Sequence, residues 1–429
     1  MICKYIYFES YGCPANRFDG EVMMKTLEES GYIIVENYGS ADILIVNTCG
    51  VKKPTEDKIL YRLRYLKQTK KPIIVGGCLP KINMSALEKI FPSNLSVLDP
   101  FSIDRIVEAV RCIESGVLNQ QFFTEEPLVK VKMSKRRIQT YDIVPISEGC
   151  LGACAFCCTR FARGQLVSYP LDAVINTIKD SVNLKIKEIW LTAQDTGAYG
   201  LDRGYNLVDL LSEICKIEGD FFIRVGMMNP KNIMEFLKPL IEVYRNNKVF
   251  KFLHLPVQSG SDHVLKRMNR FYTVSDFRVI VKTFRKVIPD LSISTDIICG
   301  FPGEHDTDFE ASMHLLREIE PDIVNISKFF PRPKTFAAEM KQLSNQTVKA
   351  RSKKMTELCK IITTKRNKNW LDWTGEILID EIGTGSSMVG RNFAYKPIIV
   401  SAKTNLLGRR VQVKVKKVTS TYLIGEIMQ

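Results

Sequence analysis

The sequence predicts an α/β chain of three successive parts: an open parallel sheet with helices on both faces, a barrel of parallel strands, and a small all-β barrel. Three observations point there. Short runs rich in Ile, Val and Leu alternate with helical stretches over residues 1–118. The alternation resumes over residues 141–330 at roughly the period of a βα barrel. From residue 371 onward, apolar and polar residues alternate between glycine-bearing turns. The 429 residues suffice for several cores, and the 45% hydrophobic and 25% charged content excludes wholesale disorder.

Taken in order, KYIYF (4–8), ADILIVN (41–47), PIIVGG (72–77) and LSVLD (95–99) read as strands. GEVMMKTLEESG (20–31) has helical spacing and a glycine stop, and further helices are expected near 55–70, 81–90 and 102–115. Residues 119–140 are polar, mixed in charge, and read as a linker. The central part, 141–365, offers six strands: DIVPI (142–146), EIWLT (188–192), FFIRVG (221–226), KFLHLPV (251–257), SISTDII (292–298) and DIVNISKF (322–329). These suggest a partial or full barrel, followed by a basic helix-like stretch at 345–370. The last part, 366–429, carries the alternating runs WTGEILIDEIG, MVGRNFAYKPIIV, RRVQVKVKKVT and TYLIGEI.

Charge and termini narrow the function classes. Lys and Arg number 61 against 47 Asp and Glu, a net +14. Residues 341–429 alone carry 17 basic and six acidic residues. Either this is solubilising surface or it meets a polyanionic partner, and so lopsided a tail favours the partner. MICKYIYFES contains Lys4 and Glu9 and no apolar stretch typical of a secretion signal, and TYLIGEIMQ is no tail anchor. No run approaches the ~18 uninterrupted apolar residues of a membrane span. The expectation is a cytoplasmic protein, in which 12 cysteines speak for metal or redox chemistry rather than disulfides.

Cys150, Cys154 and Cys157 form C-x3-C-x2-C in EGCLGACAFCCTR, just past the first barrel strand. A structural zinc site would need a fourth ligand. Cys158 adjoins Cys157 and is poorly placed to share its tetrahedron, and the nearest histidine is His254. Three thiolates suit an iron–sulfur cubane with one open iron. Cys13, Cys49 and Cys78 each stand at or just beyond the end of an expected parallel strand, where open α/β sheets form their ligand crevice. Each could instead be a buried apolar residue. Cys3 and Cys112 do not share that placement.

C-x3-C-x2-C at the opening of a βα barrel resembles the radical S-adenosylmethionine superfamily, whose partial TIM-like barrel binds S-adenosylmethionine on the open iron. In that superfamily an electron from the cluster, which reaches about −400 mV or below, splits the sulfonium to a 5′-deoxyadenosyl radical. The whole chain resembles one family within it, the radical S-adenosylmethionine methylthiotransferases. YGCPAN, VNTC and GGC resemble its N-terminal domain, here 1–118, whose three cysteines hold a second cluster. ISEGCLGACAFC, HLPVQSGSDHVLKRMNRFYT (254–273) and TDIICGFPGEHDTDF (295–309) resemble its barrel. The last part resembles its TRAM domain, an RNA-binding module. CTRFARGQLVSYP (158–170) and LTAQDTGAYG (191–200) resemble the archaeal and eukaryotic branch, which acts on N6-threonylcarbamoyladenosine in tRNA.

The resemblance implies two four-iron clusters, on Cys150/Cys154/Cys157 and on Cys13/Cys49/Cys78, and S-adenosylmethionine. It implies methylthiolation of adenine C2 at position 37, beside the anticodon, in ANN-decoding tRNA, with a low-potential electron donor such as ferredoxin or flavodoxin. One S-adenosylmethionine donates methyl to a sulfur on the second cluster, and another yields the radical. Rival substrates in the family are isopentenyladenosine tRNA and a ribosomal-protein aspartate. A rival of another class is an iron–sulfur RNA-binding redox sensor that turns nothing over. Two departures stand out: the Cys157–Cys158 doublet, where a second thiolate could mis-ligate, and Lys334 in PRPKTFAAEM, where the family usually has Gly.

Other residues enter as candidates with two readings each. Gln194 and Asp195 follow the second barrel strand and either contact S-adenosylmethionine or, for Asp195, cap a helix. Arg224 needs an anionic partner, either the S-adenosylmethionine carboxylate or a structural ion pair. His254 and Gln258 flank the end of the fourth strand, His254 as a core residue or a site residue. Asp296 lies near the end of the fifth, and Gly300 and Gly303 serve the following turn. In the terminal barrel Arg391, Lys396, Lys403, Arg409, Arg410, Lys414, Lys416 and Lys417, with Phe393 and Tyr395, either grip RNA or form a solvated face.

Overall fold

A computed structural model describes residues 4–135 and 140–428. The chain forms two compact units that draw on non-contiguous stretches. The first gathers residues up to 135 with 145–169 and 330–338, and the second 140–144, 170–329 and 339–428. Cys3 and residues 136–139 of the expected linker lie outside the described residues.

The first unit holds strands β1 (Tyr5–Ser10), β2 (Ile33–Val35), β3 (Ile43–Thr48), β4 (Ile73–Gly77), β5 (Ser96–Leu98) and β6 (Gln121–Phe122). Helices α1 (Pro14–Glu29), α2 (Lys53–Lys67), α3 (Cys78–Glu88) and α4 (Ile106–Glu114) connect them. The order is β2-β1-β3-β4-β5-β6 with every pairing parallel. β3 and β4 are buried at every residue, which is why they read as unbroken apolar runs rather than alternations. The chain steps outward from β1 to β2, then returns to β3 and proceeds the other way. That makes the carboxyl ends of β1 and β3 the topological switch point, where such sheets open a crevice. The edge strands β2 and β6 escape pattern reading because they have three and two residues.

Strand β7 (Tyr141–Pro145) leads out of the expected linker, and the first unit resumes with β8 (Ser147–Glu148), α5 (Thr159–Arg163) and β9 (Val167–Ser168). β8 and β9 pair antiparallel and pinch the cysteine loop at its base.

The second unit contains the barrel strands and the terminal barrel. β10 (Glu188–Thr192) and β11 (Phe222–Val225) join β7 in one sheet, ordered β11-β10-β7. β12 (Phe252–His254), β13 (Ser292–Cys299) and β14 (Ile323–Lys328) form another, with parallel pairings. Helices α6 (Leu171–Asn183), α7 (Leu207–Lys216), α8 (Pro230–Ile233), α9 (Leu237–Tyr244), α10 (Asp262–Arg267), α11 (Val274–Val287) and α12 (Asp306–Ile319) alternate with them. All six expected barrel strands are present, and they make a partial barrel. Between β11 and β12 the ladder shrinks to the bonds Ile223 makes with Lys248 and Phe250, just ahead of β12. There the Lys251 N–H, just ahead of β12, donates to the Phe393 carbonyl of the terminal barrel at 2.7 Å.

After the short α13 (Phe336–Glu339), the basic stretch becomes the 24-residue α14 (Asn345–Lys368), started by the Ser344 hydroxyl, which accepts from the Thr347 N–H. The terminal part closes as β15 (Thr374–Ile382), β16 (Ser387–Arg391), β17 (Pro397–Ser401), β18 (Arg410–Val418) and β19 (Leu423–Ile427), ordered β15-β16-β17-β19-β18. Ile377, Ile379, Ile398, Val400, Val413, Val415 and Leu423 fill it, with Trp370 at one end.

Buried charge joins this barrel to its neighbours in the second unit. Glu188 on β10 is 0% exposed and accepts from the Trp190 indole at 2.5 Å. Burial, then the negative charge of Asp380 on β15, pushes the Glu188 carboxyl up to about 7. Burial, partly opposed by Arg391, pushes Asp380 up to about 6. An acid held above its ordinary value keeps its proton longer in the fold than in the unfolded chain. Stability is therefore full below the ordinary carboxylate range and falls as pH rises toward 7. Glu188→Gln is expected to flatten the decline of the urea midpoint between about pH 4.5 and pH 7, measured as a pH series beside the parent.

Candidate functional site

Three neighbouring strand ends carry the first cysteine set. Cys13 follows β1 as the N-cap of α1, Cys49 follows β3, and Cys78 opens α3 directly after β4. β1, β3 and β4 are adjacent in the sheet, and neighbouring strands stand ~4.8 Å apart. Side-chain amides lock these ends together. Asn47 donates to the Ser10 hydroxyl at 3.0 Å and to the Asn16 carbonyl at 2.7 Å. The Thr48 hydroxyl donates to the Gly76 carbonyl at 2.6 Å. Missing side chains permit the close approach. A Cβ on Gly12 would lie 2.9 Å from the Cys49 Cβ. Gly77 has φ +90° and sits where a Cβ would meet the Thr48 carbonyl oxygen at 2.4 Å.

Cys13 is exposed, whereas Cys49 and Cys78 are buried. Burial raises the Cys49 thiol, and it pushes Cys78 up to about 12 against the nearby Arg163 charge. Cys49 feels Cys13 electrostatically and Cys78 feels both, so the three thiols share one neighbourhood.

The second set lies on the loop between β8 and α5. The Gly152 N–H donates to the Cys150 sulfur at 3.2 Å, and the Cys157 N–H to the Cys154 carbonyl at 3.0 Å. At the base of the loop the Cys150 N–H donates to the Gly164 carbonyl. A Cβ on Gly149 would fall 1.8 Å from the Gln165 carbonyl oxygen, so only glycine permits that closure. The Ala337 N–H donates to the Ala155 carbonyl, laying 330–338 on the loop. Cys158 points away from it. Its buried thiol packs with Cys78, Ile82 and Ala162 and faces the carbonyls of Gly50 and Val51, so the doublet is a core feature rather than a spare ligand.

Among the described residues, no group of three or more His, Cys, Asp or Glu side chains is set to hold a metal ion. An iron–sulfur cubane asks for something different, because each thiolate binds its own iron. Three cysteine thiols on locked strand ends are the donor chemistry such a cluster takes. The three on the loop are an equivalent set, so both fit.

Sequence reasoning missed what surrounds these thiols. Arg163 at the end of α5 is 1% exposed. Its Nε–H donates to the Cys78 sulfur at 3.4 Å, and its other nitrogens to Glu148 at 2.8 Å and to the Asn16 side-chain oxygen at 3.1 Å. It also forms an ion pair with Asp19 at 2.8 Å. Lys130, from the expected linker, is buried with Asp19 at 2.8 Å and Glu148 at 2.9 Å. The one signal available was the placement of Glu148 and Arg163 on either side of the cysteine loop.

At the strand ends of the second unit the candidates divide. Asp195 is buried, and its oxygens accept from the Gly197 and Asn229 N–H groups and the Asn232 amide, so it takes the capping role. Burial raises its carboxyl, against those donors. Gln194 keeps a buried side-chain oxygen without a hydrogen-bond partner among the described residues. Arg224 forms no ion pair among the described residues. Its guanidinium lies 5.2–5.4 Å from the Trp190, Phe252 and Tyr395 ring centres, a stacking use of Arg. His254 pairs with Asp296 at 3.2 Å, and Asp296 also accepts from Asn325 at 2.7 Å. Gln258 has φ +70°, held by its N–H on the Asp296 carbonyl and its own carbonyl on the Ile298 N–H. A non-glycine residue fixed in that region marks strain where sites are commonly built. Gly300 and Gly303 take positive φ in the turn after β13.

The eight basic residues of the terminal barrel also divide. Lys396 is buried, bonded to Asp322 at 2.8 Å and Asn367 at 2.9 Å, and so is no RNA contact. Arg391 pairs with Asp380 at 3.2 Å, and Arg410 pairs with Glu376 at 2.7 Å and with Asp220 while lying over Phe222. Lys414 and Lys416 form looser pairs at 3.4 Å with Asp372 and Glu426. Lys403, Arg409 and Lys417 are exposed and outside the ion pairs among the described residues. Phe393 packs on Trp370 and Trp373, and Tyr395 on Phe250 and Phe252, so both aromatics serve internal packing.

Comparison with known proteins places this arrangement. Residues 5–99 match the uncharacterized protein family UPF0004, residues 144–316 the radical SAM superfamily, and residues 374–428 the TRAM domain. The chain is 44% identical over 99% of both lengths to the "Probable threonylcarbamoyladenosine tRNA methylthiotransferase" of Pyrococcus abyssi. It is 35% identical to the threonylcarbamoyladenosine tRNA methylthiotransferase of Homo sapiens, over 98% of this chain and 73% of that one. The chain belongs to this family. In fold it is similar to the radical S-adenosylmethionine methyltransferase TsrM from Kitasatospora setae, with TM-score 0.58, 14% identity, 78% of this chain and 75% of that one. Among the described residues no helix is long and apolar enough to cross a membrane.

Lys334, singled out from the sequence as a departure, takes a strained backbone conformation. Its φ is +64°, in the left-handed region, and its ammonium reaches the Lys81 carbonyl at 3.3 Å. Lys334→Gly is expected to stabilise the protein by roughly 1 kcal/mol, read as a higher urea midpoint at unchanged slope. A lower midpoint would show that the bond to the Lys81 carbonyl outweighs the backbone strain.

Proposed function

We propose that this protein methylthiolates C2 of N6-threonylcarbamoyladenosine at position 37, beside the anticodon of ANN-decoding tRNA, in the cytoplasm. The observation that carries the reading is the pairing of two three-cysteine sets within one compact unit, in a chain of this family. Adenine C2 bears no acidic proton and no leaving group, so a general base has nothing to remove. When bound, a four-iron cluster on Cys150, Cys154 and Cys157 supplies the electron that cleaves S-adenosylmethionine to a carbon radical, drawn from a donor such as ferredoxin or flavodoxin. Cys13, Cys49 and Cys78 would hold the second cluster. The cysteine loop, closed through Gly149 and braced by 330–338, fixes its thiols before any ligand arrives, which is the protein's contribution to such chemistry.

The unpartnered Gln194 oxygen suits a donor group of S-adenosylmethionine. Gln258 and Asp296 remain candidates for the same cofactor, Asp195 supports the local turn, and Arg224 acts through its stack rather than on a carboxylate. The domain limits we assign are 1–118, 119–140, 141–365 and 366–429. Lys403, Arg409 and Lys417 take the tRNA backbone.

Nucleoside mass spectrometry tests the reaction. Anaerobic protein with S-adenosylmethionine, reductant, sulfide and threonylcarbamoyladenosine tRNA is expected to add one methylthio group to that nucleoside. Addition to isopentenyladenosine tRNA or to a ribosomal-protein aspartate instead would reassign the substrate. C150A/C154A/C157A is expected to abolish 5′-deoxyadenosine release and keep about half the iron, one of two equal sets. Absence of 5′-deoxyadenosine from fully loaded parent protein would favour a redox sensor.

Replacing Lys403, Arg409 and Lys417 together by Ala is expected to weaken tRNA binding. The slope of log K against log salt should fall by about 0.7–0.9 for each phosphate that is no longer neutralised. Fluorescence anisotropy over a salt series reads it, and an unchanged slope would place the grip elsewhere.

A further inference from the structure

We infer that Arg163 is a positioning residue that sets the reduction potential of the group held by Cys13, Cys49 and Cys78, through an N–H donated to the Cys78 sulfur, while it ties that group to the base of the Cys150–157 loop. The inference rests on the reading of those three cysteines as ligands.

The geometry leaves Arg163 no other use. Its side chain is 1% exposed, which rules out contact with tRNA. Three directions of its planar fork are fixed at once: Nε toward Cys78, one terminal nitrogen toward Glu148, the other toward Asn16 and Asp19. Lysine, a point charge on a shorter reach, cannot occupy all three. Glu148 precedes Cys150 by two residues, and Asn16 follows Cys13 by three. The same guanidinium therefore grips the approach to both cysteine sets.

The surrounding charges explain why it is built this way. Arg163 and Lys130 balance Asp19 and Glu148, and all four side chains are at most 4% exposed. A balanced quartet adds no net charge beside the thiols. What it adds is direction: one N–H pointing at one sulfur. Arg163 also interacts electrostatically with Cys13 and Cys49. A hydrogen bond to a ligating sulfur draws electron density from the iron and favours the reduced, more negative state. Hydrogen bonds to the sulfurs and net charge are the levers by which proteins tune such clusters. Removing Arg163 and Asp19 together leaves the Lys130–Glu148 pair with its charges balanced, which separates the effect on potential from the integrity of the unit.

The test is a redox titration, followed by electron paramagnetic resonance, of full-length protein carrying C150A/C154A/C157A, so that one cluster is observed. Into it go R163K and, separately, R163M/D19N, which removes the N–H and keeps the buried charges balanced. Both are expected to retain iron while the ratio of reduced to oxidised cluster at a fixed potential falls about tenfold, which for one electron is 59 mV. Iron retained with an unmoved midpoint in both variants would overturn the inference. Absence of iron from C150A/C154A/C157A itself would overturn the second-cluster reading and the inference with it. That failure shows as missing metal, distinct from an unmoved potential.

Discussion

The buried quartet of Asp19, Lys130, Glu148 and Arg163 is the constraint on which the first unit depends. Its members come from α1, from the stretch before β7, from β8 and from α5. Taking four charges out of water costs several kcal/mol per ion before pairing recovers it. Such an arrangement is a poor way to gain stability, and a packed apolar core would do better. What it secures is register. Each carboxylate answers to both cations, so removing any one member leaves an uncompensated buried charge. The two cysteine sets hang from this framework, one through Cys78 and α1, the other through the strands that pinch the loop. The arrangement holds sulfur positions fixed in a region that must also admit ligands.

Much of this was legible in the sequence, and the reasons for success and failure are physical. Runs such as ADILIVN and PIIVGG betray central parallel strands because both faces are buried. A cysteine at the end of such a run is then placed by topology alone, which is how Cys13, Cys49 and Cys78 converge on paper before they do in space. The quartet was illegible because its partners, Asp19 and Arg163 above all, lie far apart in sequence, and periodicity carries no information at that separation. Lys130 in particular sits in a stretch whose mixed charge reads as solvated linker. Burial of a lysine in such a stretch is decided by Asp19 and Glu148, which local composition cannot see.

Arg224 and Lys396 show what the fold does with cations that a sequence offers to ligands. A cation inside a strand suggests an anionic ligand, and a cation on a small β-barrel suggests RNA. Arg224 instead finds three aromatic rings, and Lys396 finds Asp322. Both belong to the seam that joins the terminal barrel to its neighbours in the second unit, along with Glu188, Asp380 and Arg391. The Lys251 N–H, donated to the Phe393 carbonyl, adds a backbone bond to that seam. Charges that look like a binding face in one dimension are partly the adhesive of the fold in three.

This redistribution changes where polyanion affinity can reside. The excess of positive charge after residue 341 is real, but ion pairing and burial remove several of its members from the surface. On α14 the buried positions, Val348, Arg351, Met355, Cys359 and Ile362, follow helical spacing and fix one face inward. Lys354 and Lys365 on the outer side pair with Glu310 and Glu320. Lys349, Lys353, Lys360 and Lys368 are exposed and outside those pairs. At 100° per residue they fall within roughly a third of the helix circumference. The long-range field of the C-terminal fifth is thus the sum of a helix stripe and a few barrel residues rather than of one barrel face. Counterion release counts phosphates neutralised, not lysines present. A salt slope smaller than the formal charge suggests is what a fold that pairs its cations internally must give.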